Sequence, residues 1–224
     1  MKKLVLSMYD TAAQGGRFFI ENFGSFLVAT LVLTVSTIVF WFSVMFAVSG
    51  LVHFLMADFS MEARKPIFYL VSFMLMQFFG AGLLLGYYKW TLDLYDTGKA
   101  CLNTLFSYFH MALRGMVATL FYVGMVVVGL CFFLFPGIYI ALRLGYYTYF
   151  IVDKNVGAIE SLQKSWELTE KRVGYVLGIE VLVGLLKMIP LINFLLFGFG
   201  SATWIVAYRN LLAQKQGYVR EEKE

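Results

Sequence analysis

Charge is scarce in this chain. Asp, Glu, Lys and Arg make up 14% of its 224 residues, roughly half the share carried by a soluble domain. Too few charged side chains are present to cover the surface of an ordinary soluble protein of this length. Cysteine is equally thin: one of the pair, Cys101, falls at an expected membrane surface and the other, Cys131, deep in an apolar run. That difference in depth argues against a bridge between them, and no His/Cys/Asp/Glu spacing suits a metal. The only histidines, His53 and His110, stand alone on expected interfacial positions and are read as neither ligands nor catalysts. A glycine-rich phosphate loop, a Ser-His-Asp set and an HExxH helix are all missing. Asp93 and Asp96 flank Tyr95, but at a helix boundary they are read as capping and solvated groups, not as an acid–base couple. No catalytic residue, cofactor-binding residue or metal ligand is assigned, no cofactor is expected, and the chain is expected not to be an enzyme.

What fills the chain instead is apolar. Hydrophobic residues make up 60% and aromatic residues 18%, and several runs exceed the ~20 residues that cross a ~30 Å hydrocarbon core. A multi-pass membrane protein follows. The start, Met1-Lys2-Lys3-Leu4-Val5-Leu6, is like that of a signal peptide, but Asp10 and Gln14 interrupt the apolar run and no small-residue cleavage site follows, so none is expected. The net charge of +4 comes from positive residues beside apolar runs, which points to a positive-inside bias and not to nucleic acid.

In chain order, residues 10–23 set Asp10, Gln14, Arg17 and Glu21 against Ala12, Gly16, Phe19, Ile20 and Phe23, the pattern of an interfacial helix. Gly24 turns the chain into a first span, Ser25 to about Met56, and Asp58 to Lys65 forms a polar loop. Pro66 suits the first turn of a second span ending at Tyr87, Tyr88, Trp90 and Tyr95. Asp96-Thr97-Gly98 caps a second amphipathic helix, with Leu102, Leu105, Phe106, Phe109 and Leu113 opposite Lys99, Asn103, Ser107, His110 and Arg114. A third span from Gly115 ends at Phe135, Pro136-Gly137 turns directly into a fourth, and that one ends at Val152. Asn155-Val156-Gly157 opens a third amphipathic helix, where Ile159, Leu162 and Trp166 oppose Glu160, Lys164, Glu167 and Lys171. Gly174 leads into a fifth span, Pro190 separates it from a sixth ending near Leu212, and residues 214–224 form a charged, fraying tail.

The expected fold is therefore an all-α membrane protein: six transmembrane helices as three hairpins, each preceded by a cytoplasmic amphipathic interfacial helix. Residues 1–213 form one domain, with repeat units 4–95, 96–153 and 154–213 as one reading. The other is that the membrane imposes this pattern on any surface helix followed by a hairpin. Lys and Arg crowd the side that holds both termini, while the opposite side has only Arg64, Lys65 and Lys187. Both termini are thus expected in the cytoplasm.

Arg143 and Glu180 are the charges expected near mid-membrane, at depths that differ by only about 6–9 Å on helical rise. A structural ion pair is the favoured reading. A part in substrate or proton handling and unpartnered snorkelling are the alternatives. Gly137, Ala141 and Gly145 offer a small-residue packing face, and Gly82-x-x-x-Gly86 and Gly174-x-x-x-Gly178 offer two more. Phe19, Phe106 and Trp166 are the expected interfacial anchors.

Phe135-Pro136-Gly137-Ile138-Tyr139, Arg143, Asp153, Ala158, Ser161 and Ser165-Trp166 together resemble a broad group of bacterial membrane proteins. That group includes the membrane domain attached to some glycerophosphodiester phosphodiesterases and small uncharacterised inner-membrane families. The resemblance covers residues 132–180 best and implies a multi-pass fold of the bacterial inner membrane. The phosphodiesterase catalytic domain has no counterpart here, so its activity does not carry over. The expected function is an assembly or membrane-homeostasis factor working through membrane lipids, other membrane proteins or a second copy of itself. The alternative is a small transporter or permease with Arg143 and Glu180 in its path.

Overall fold

A computed structural model describes residues 8–57, 59–170, 172–187 and 193–221. Lys2 and Lys3, Asp58, Lys171 and Pro190, with the break expected at that proline, lie outside the described residues. Every described element is helical. Among the described residues, three stretches are long and apolar enough to cross a membrane, Phe23–Leu55, Met61–Thr97 and Thr104–Phe132, and the chain is an all-helical membrane protein.

Helix α1 (Met8–Glu21) is seated by more than the apolar stripe expected of it. Thr11 and Gly15 are its buried residues. The helix lies against α10 (Asn193–Glu221) so closely that a Cβ on Gly15 would be 2.7 Å from the Thr203 Cα. Thr11 also shares a hydrogen bond with Tyr175 at 2.8 Å and accepts one from Asn210 at 3.3 Å. The chain breaks at Asn22, before Gly24, whose Cβ position is open. Phe19 is half-buried against Phe26 and Phe199 rather than pointing freely outward.

Helix α2 (Phe23–Leu55) is 33 residues long, about 50 Å at helical rise. It packs on α3 (Met61–Thr97) through Phe40 stacked on Phe79 at 3.7 Å and through Val44, Val48 and Val52. Pro66 falls inside α3 instead of at its start, because the Ser60 hydroxyl accepts from Ala63 N at 3.4 Å and nucleates the helix earlier. At the other end Asp96 and Thr97 belong to the last turn of α3, and Gly98 ends it in the left-handed conformation, φ 70°. Glycine takes that conformation without strain. Asp96-Thr97-Gly98 therefore closes a helix and does not open one.

The second amphipathic helix is broken into pieces: one turn, α4 (Thr104–Ser107), and a 3-10 turn at Phe109–Met111 that runs into α5 (Ala112–Phe132). Leu105, of its apolar stripe, is fully buried, whereas Phe106 stays exposed. The reason lies in α3, where Gly86 lets the backbone at Leu105 come into contact: a Cβ there would be 2.6 Å from the Leu105 carbonyl carbon. Gly82 similarly admits the Phe109 ring. A short segment pinned at two glycines cannot also run as one straight interfacial helix.

Pro136-Gly137 is not the turn between α5 and α6 (Leu134–Leu144). The chain reverses at extended Phe133, φ −164°, and Pro136 and Gly137 sit in the first turn of α6, where a proline's missing N–H is not needed. Gly137 meets Gly129 backbone to backbone, a Cβ on Gly129 lying 2.9 Å from the Gly137 Cα. Helices α7 (Tyr147–Lys154), α8 (Ala158–Leu168) and α9 (Val173–Lys187) complete the bundle with α10. Helix α10 continues through residues 214–221, the expected tail, with Lys215 bonded to Glu167 of α8 at 3.0 Å. The largest core cluster joins α7, α8, α9 and α10 to parts of α3 and α5.

Candidate functional site

Helices α6 and α7 form one rod broken at Gly145-Tyr146. A broken helix leaves carbonyl and N–H groups without their intrahelical partners, and here α8 supplies substitutes. Ser165 donates to the Arg143 carbonyl at 2.9 Å and accepts from the Tyr146 N–H at 3.1 Å. Thr169, one helical turn further on, donates to the same carbonyl at 3.0 Å. Ser165 and Thr169 are both fully buried, so these bonds form without competition from solvent. Thr169, the residue that caps α8, drew no attention in the sequence; the signal was there as hydroxyls at i and i+4 on the buried side of that helix.

The Arg143 side chain goes to the same neighbour. It is 5% exposed, and its guanidinium carbon lies 4.2 Å from the Trp166 ring centroid and 5.7 Å from that of Tyr139. Aromatic faces attract a cation, most strongly away from water. Trp166, placed by sequence at an interface, is half-exposed and forms the lid over this arginine. It also borders an apolar groove with Leu120, Phe121, Gly124 and Ile140.

Glu180 is elsewhere. It lines a cavity of 450 Å³ together with Ala141, Gly145 and Thr148, the small-residue side of the broken rod. At 100° per residue, Ala141 and Gly145 lie on the side of α6 away from Arg143 and Tyr139. The two charges expected to meet across the bundle thus face different neighbours: Arg143 sits on the rings of Trp166 and Tyr139, and Glu180 in the cavity. The pairing expectation assumed a straight rod compared by depth alone, and depth says nothing about which face a side chain takes. Gly145 receives the Trp204 indole, with a Cβ there 3.0 Å from its ring. Gly178 lies against Met8 of α1. Gly174 contacts nothing: it is exposed in the first turn of α9, and a Cβ would meet no atom within 4 Å, so it is no packing glycine.

A second polar centre joins the ends of three helices. Arg209 of α10 binds Asp96 of α3 through Nε (3.1 Å) and Nη2, and Asp153 of α7 through Nη1 (3.2 Å) and Nη2 (3.0 Å). Tyr208 adds a hydrogen bond to Asp153 at 3.0 Å, and Lys154 an ion pair at 3.2 Å. Burial works to raise the Asp153 carboxyl, but the Arg209 guanidinium outweighs it and holds the group below the usual carboxylate range. Sequence reading gave Asp153 no role beyond the motif and passed over Arg209 as one of many boundary cations.

The described residues contain no group of three or more His, Cys, Asp or Glu able to hold a metal ion. Comparison of the chain with protein-family models, with curated proteins and with solved structures finds no match to any of them.

Proposed function

We propose that this protein is a non-enzymatic, six-span protein of the bacterial inner membrane, with both termini in the cytoplasm, that acts as an assembly or membrane-homeostasis factor. The further crossings would be α6 with α7, α9, and α10, joined to the long α2, α3 and α5. One observation carries the functional reading. Helix α8 is locked to the bundle by its Ser161, Leu162, Ser165 and Leu168 face, yet Ile159 (58%) and Trp166 (39%) remain exposed. A rigidly held helix that keeps apolar side chains outward presents a fixed surface to lipid or to a partner protein.

Two measurements test this. Reporter fusions after Glu62 are expected on the external side and fusions after Lys99 and Glu224 in the cytoplasm; a cytoplasmic signal at Glu62 would discard the six-span layout. In a strain lacking the protein, Ile159→Glu, at an exposed position with no role inside the bundle, is expected to yield a folded chain that no longer restores the wild-type phenotype. Full restoration would sink the surface-contact reading. Transport is the second reading, favoured by the cavity that Glu180 lines beside a broken helix, since interrupted helices form the sites of many transporters.

A further inference from the structure

The apolar groove between α5 and α6 ends at a cation. Leu120, Gly124 and Val128 of α5 follow one another along it at one-turn intervals, Ile140 lies on α6, and Trp166 of α8 closes one end. Among the described residues its lining carries no charged side chain. The α5 wall belongs to a stretch apolar enough to cross a membrane, and Leu120 and Val128 are exposed, so the surroundings of this groove are hydrocarbon. From Leu120 to Val128 it runs about 12 Å at helical rise, most of the ~15 Å of hydrocarbon in one leaflet.

Arg143 stands one turn of α6 beyond Ile140, a spacing that puts the two on one face. Its guanidinium carbon is 4.2 Å from the ring centroid of the Trp166 that closes the groove. The side chain is buried, and among the described residues no carboxylate pairs with it. Its Nε is sealed off without a hydrogen-bond partner; the two terminal nitrogens are also without one but are not sealed, so the tip of the fork reaches the outside. Ring faces offset part of the cost of burying a guanidinium, but they leave its five N–H donors without an oxygen acceptor. The oxygens of a phosphate match that fork.

Helix α8 sets the level of this cation. Its outer side carries two exposed ion pairs, Glu160 with Lys164 at 2.8 Å and Glu167 with Lys215 at 3.0 Å, and Glu167 is the next residue after Trp166. The Trp166 end of the groove is therefore its headgroup end, and the Val128 end points into the bilayer. Both α8 carboxylates are occupied by lysines, so a headgroup amine finds no free acid on that helix. The phosphate of a zwitterionic lipid also has its own ammonium beside it, which makes an anionic lipid the better partner for an unpaired arginine.

We propose that the groove holds an anionic phospholipid of the phosphatidylglycerol type, with one acyl chain along α5 and α6 and its phosphodiester on Arg143. This takes the lipid branch of the function proposed above and rests on that reading's membrane contact at α8.

The test reconstitutes the full chain in phosphatidylcholine bilayers containing phosphatidylglycerol or phosphatidylcholine brominated along one acyl chain. Quenching of Trp166 fluorescence is read by difference from Trp166→Phe. Brominated phosphatidylglycerol is expected to reach half-quenching at an about tenfold lower membrane fraction than brominated phosphatidylcholine, the ratio that ~1.4 kcal/mol of charge recognition produces. Arg143→Leu is expected to abolish that preference, and Arg143→Lys, which keeps the charge without the fork, to retain only part of it. A Cβ on Gly124 meets no atom within 4 Å, so Gly124→Leu fills the groove and is expected to weaken quenching by both lipids several-fold. Lys164→Gln and Ile159→Glu are expected to leave the preference unchanged, so a failed phenotype test of α8 and a failed lipid test are told apart. If Arg143→Leu does not fold, the two-lipid comparison on the unaltered chain and the Gly124→Leu titration decide. Equal quenching by the two lipids, or an undiminished preference in a folded Arg143→Leu chain, overturns the proposal. Absence of quenching by either lipid would mean that protein covers the groove, and overturns it as well.

Discussion

Asp96 and Asp153 occupy the same place at two helix ends, each two residues before a left-handed residue, Gly98 (φ 70°) or Asn155 (φ 51°), and both bind Arg209. The sequence pattern suggests matching Asp96-Thr97-Gly98 with Asn155-Val156-Gly157. The backbone matches it with Asp153-Lys154-Asn155. A single guanidinium can serve both carboxylates because its donors lie in a fixed plane and address two groups at once.

Arg209→Gln is expected to lower stability by about 1.5–3 kcal/mol, the range for hydrogen bonds to charged groups. Arg209→Lys should recover only part of the loss, since an ammonium cannot bind two carboxylates through paired donors. Thermal unfolding in detergent measures both. Equal stability of the Lys variant and the wild type would mean that charge alone matters at this junction.

The pH dependence follows from Asp153. Its carboxyl is held below its ordinary value of 3.8, so its contribution is fully present above that value. It is lost as pH falls through the lower, folded value. The melting temperature should therefore hold steady, as far as this group is concerned, from neutral pH to about 4 and fall below that. Asp153→Asn should be less stable at neutral pH and show a shallower acid decline. An unchanged acid decline in that variant would exclude Asp153 as its source.

The helix break gives another measurement. Ser165→Ala removes the partner of a buried N–H and one of two donors to the Arg143 carbonyl, with an expected cost of about 1–3 kcal/mol. Thr169→Ala should cost less, because Ser165 still serves that carbonyl. The double variant should depart from the sum of the two, as for groups sharing a partner. Strict additivity would show that the two hydroxyls do not act together.

How much of this was legible in the sequence depends on whether the cause was local. The long helices Phe23–Leu55 and Met61–Thr97 declare themselves by apolar length, which no partner is needed to read. A helix over Ala158–Leu168 was likewise visible, and so were the small residues at Ala141 and Gly145. The break at Gly145-Tyr146 was not, because its stabilising hydroxyls come from another helix. Arg209 finds Asp96 and Asp153 only after folding, at sequence separations of 113 and 56. Glycine spacing behaved the same way. Gly86 and Gly174 look alike in a run of letters, and only the neighbouring backbone separates them.

That contrast is measurable. Gly86→Ala forces a methyl group into the backbone at Leu105, which cannot swing aside as a side-chain end could, and should destabilise by about 1–3 kcal/mol as overpacking does. Gly174→Ala enters open space in a helix and should stabilise by up to about 1 kcal/mol through helix propensity. Similar losses at the two sites would mean that α3 and α4 are not in the contact described.

Arg143 and Glu180 provide the last test, since pairing with each other and placement at separate sites predict opposite results. In a buried pair, removing one partner strands the other and costs about 3–5 kcal/mol, and removing both restores much of the loss. Here Arg143 rests on Trp166 and Tyr139, and its Nε has no hydrogen-bond partner. Arg143→Leu therefore removes a cation–π contact of up to about 2 kcal/mol and also the desolvation cost of a buried guanidinium, so the net loss should be small. Glu180→Leu alters the cavity on the other side of α6 and shares neither aromatic partner with Arg143. Their effects on unfolding in detergent should add within about 0.5 kcal/mol. Rescue of either single variant by the other substitution would restore the pair and move the arginine off the tryptophan. Additivity would instead leave two separate sites on one broken helix, a packed cation on the α8 side and an acidic cavity on the other.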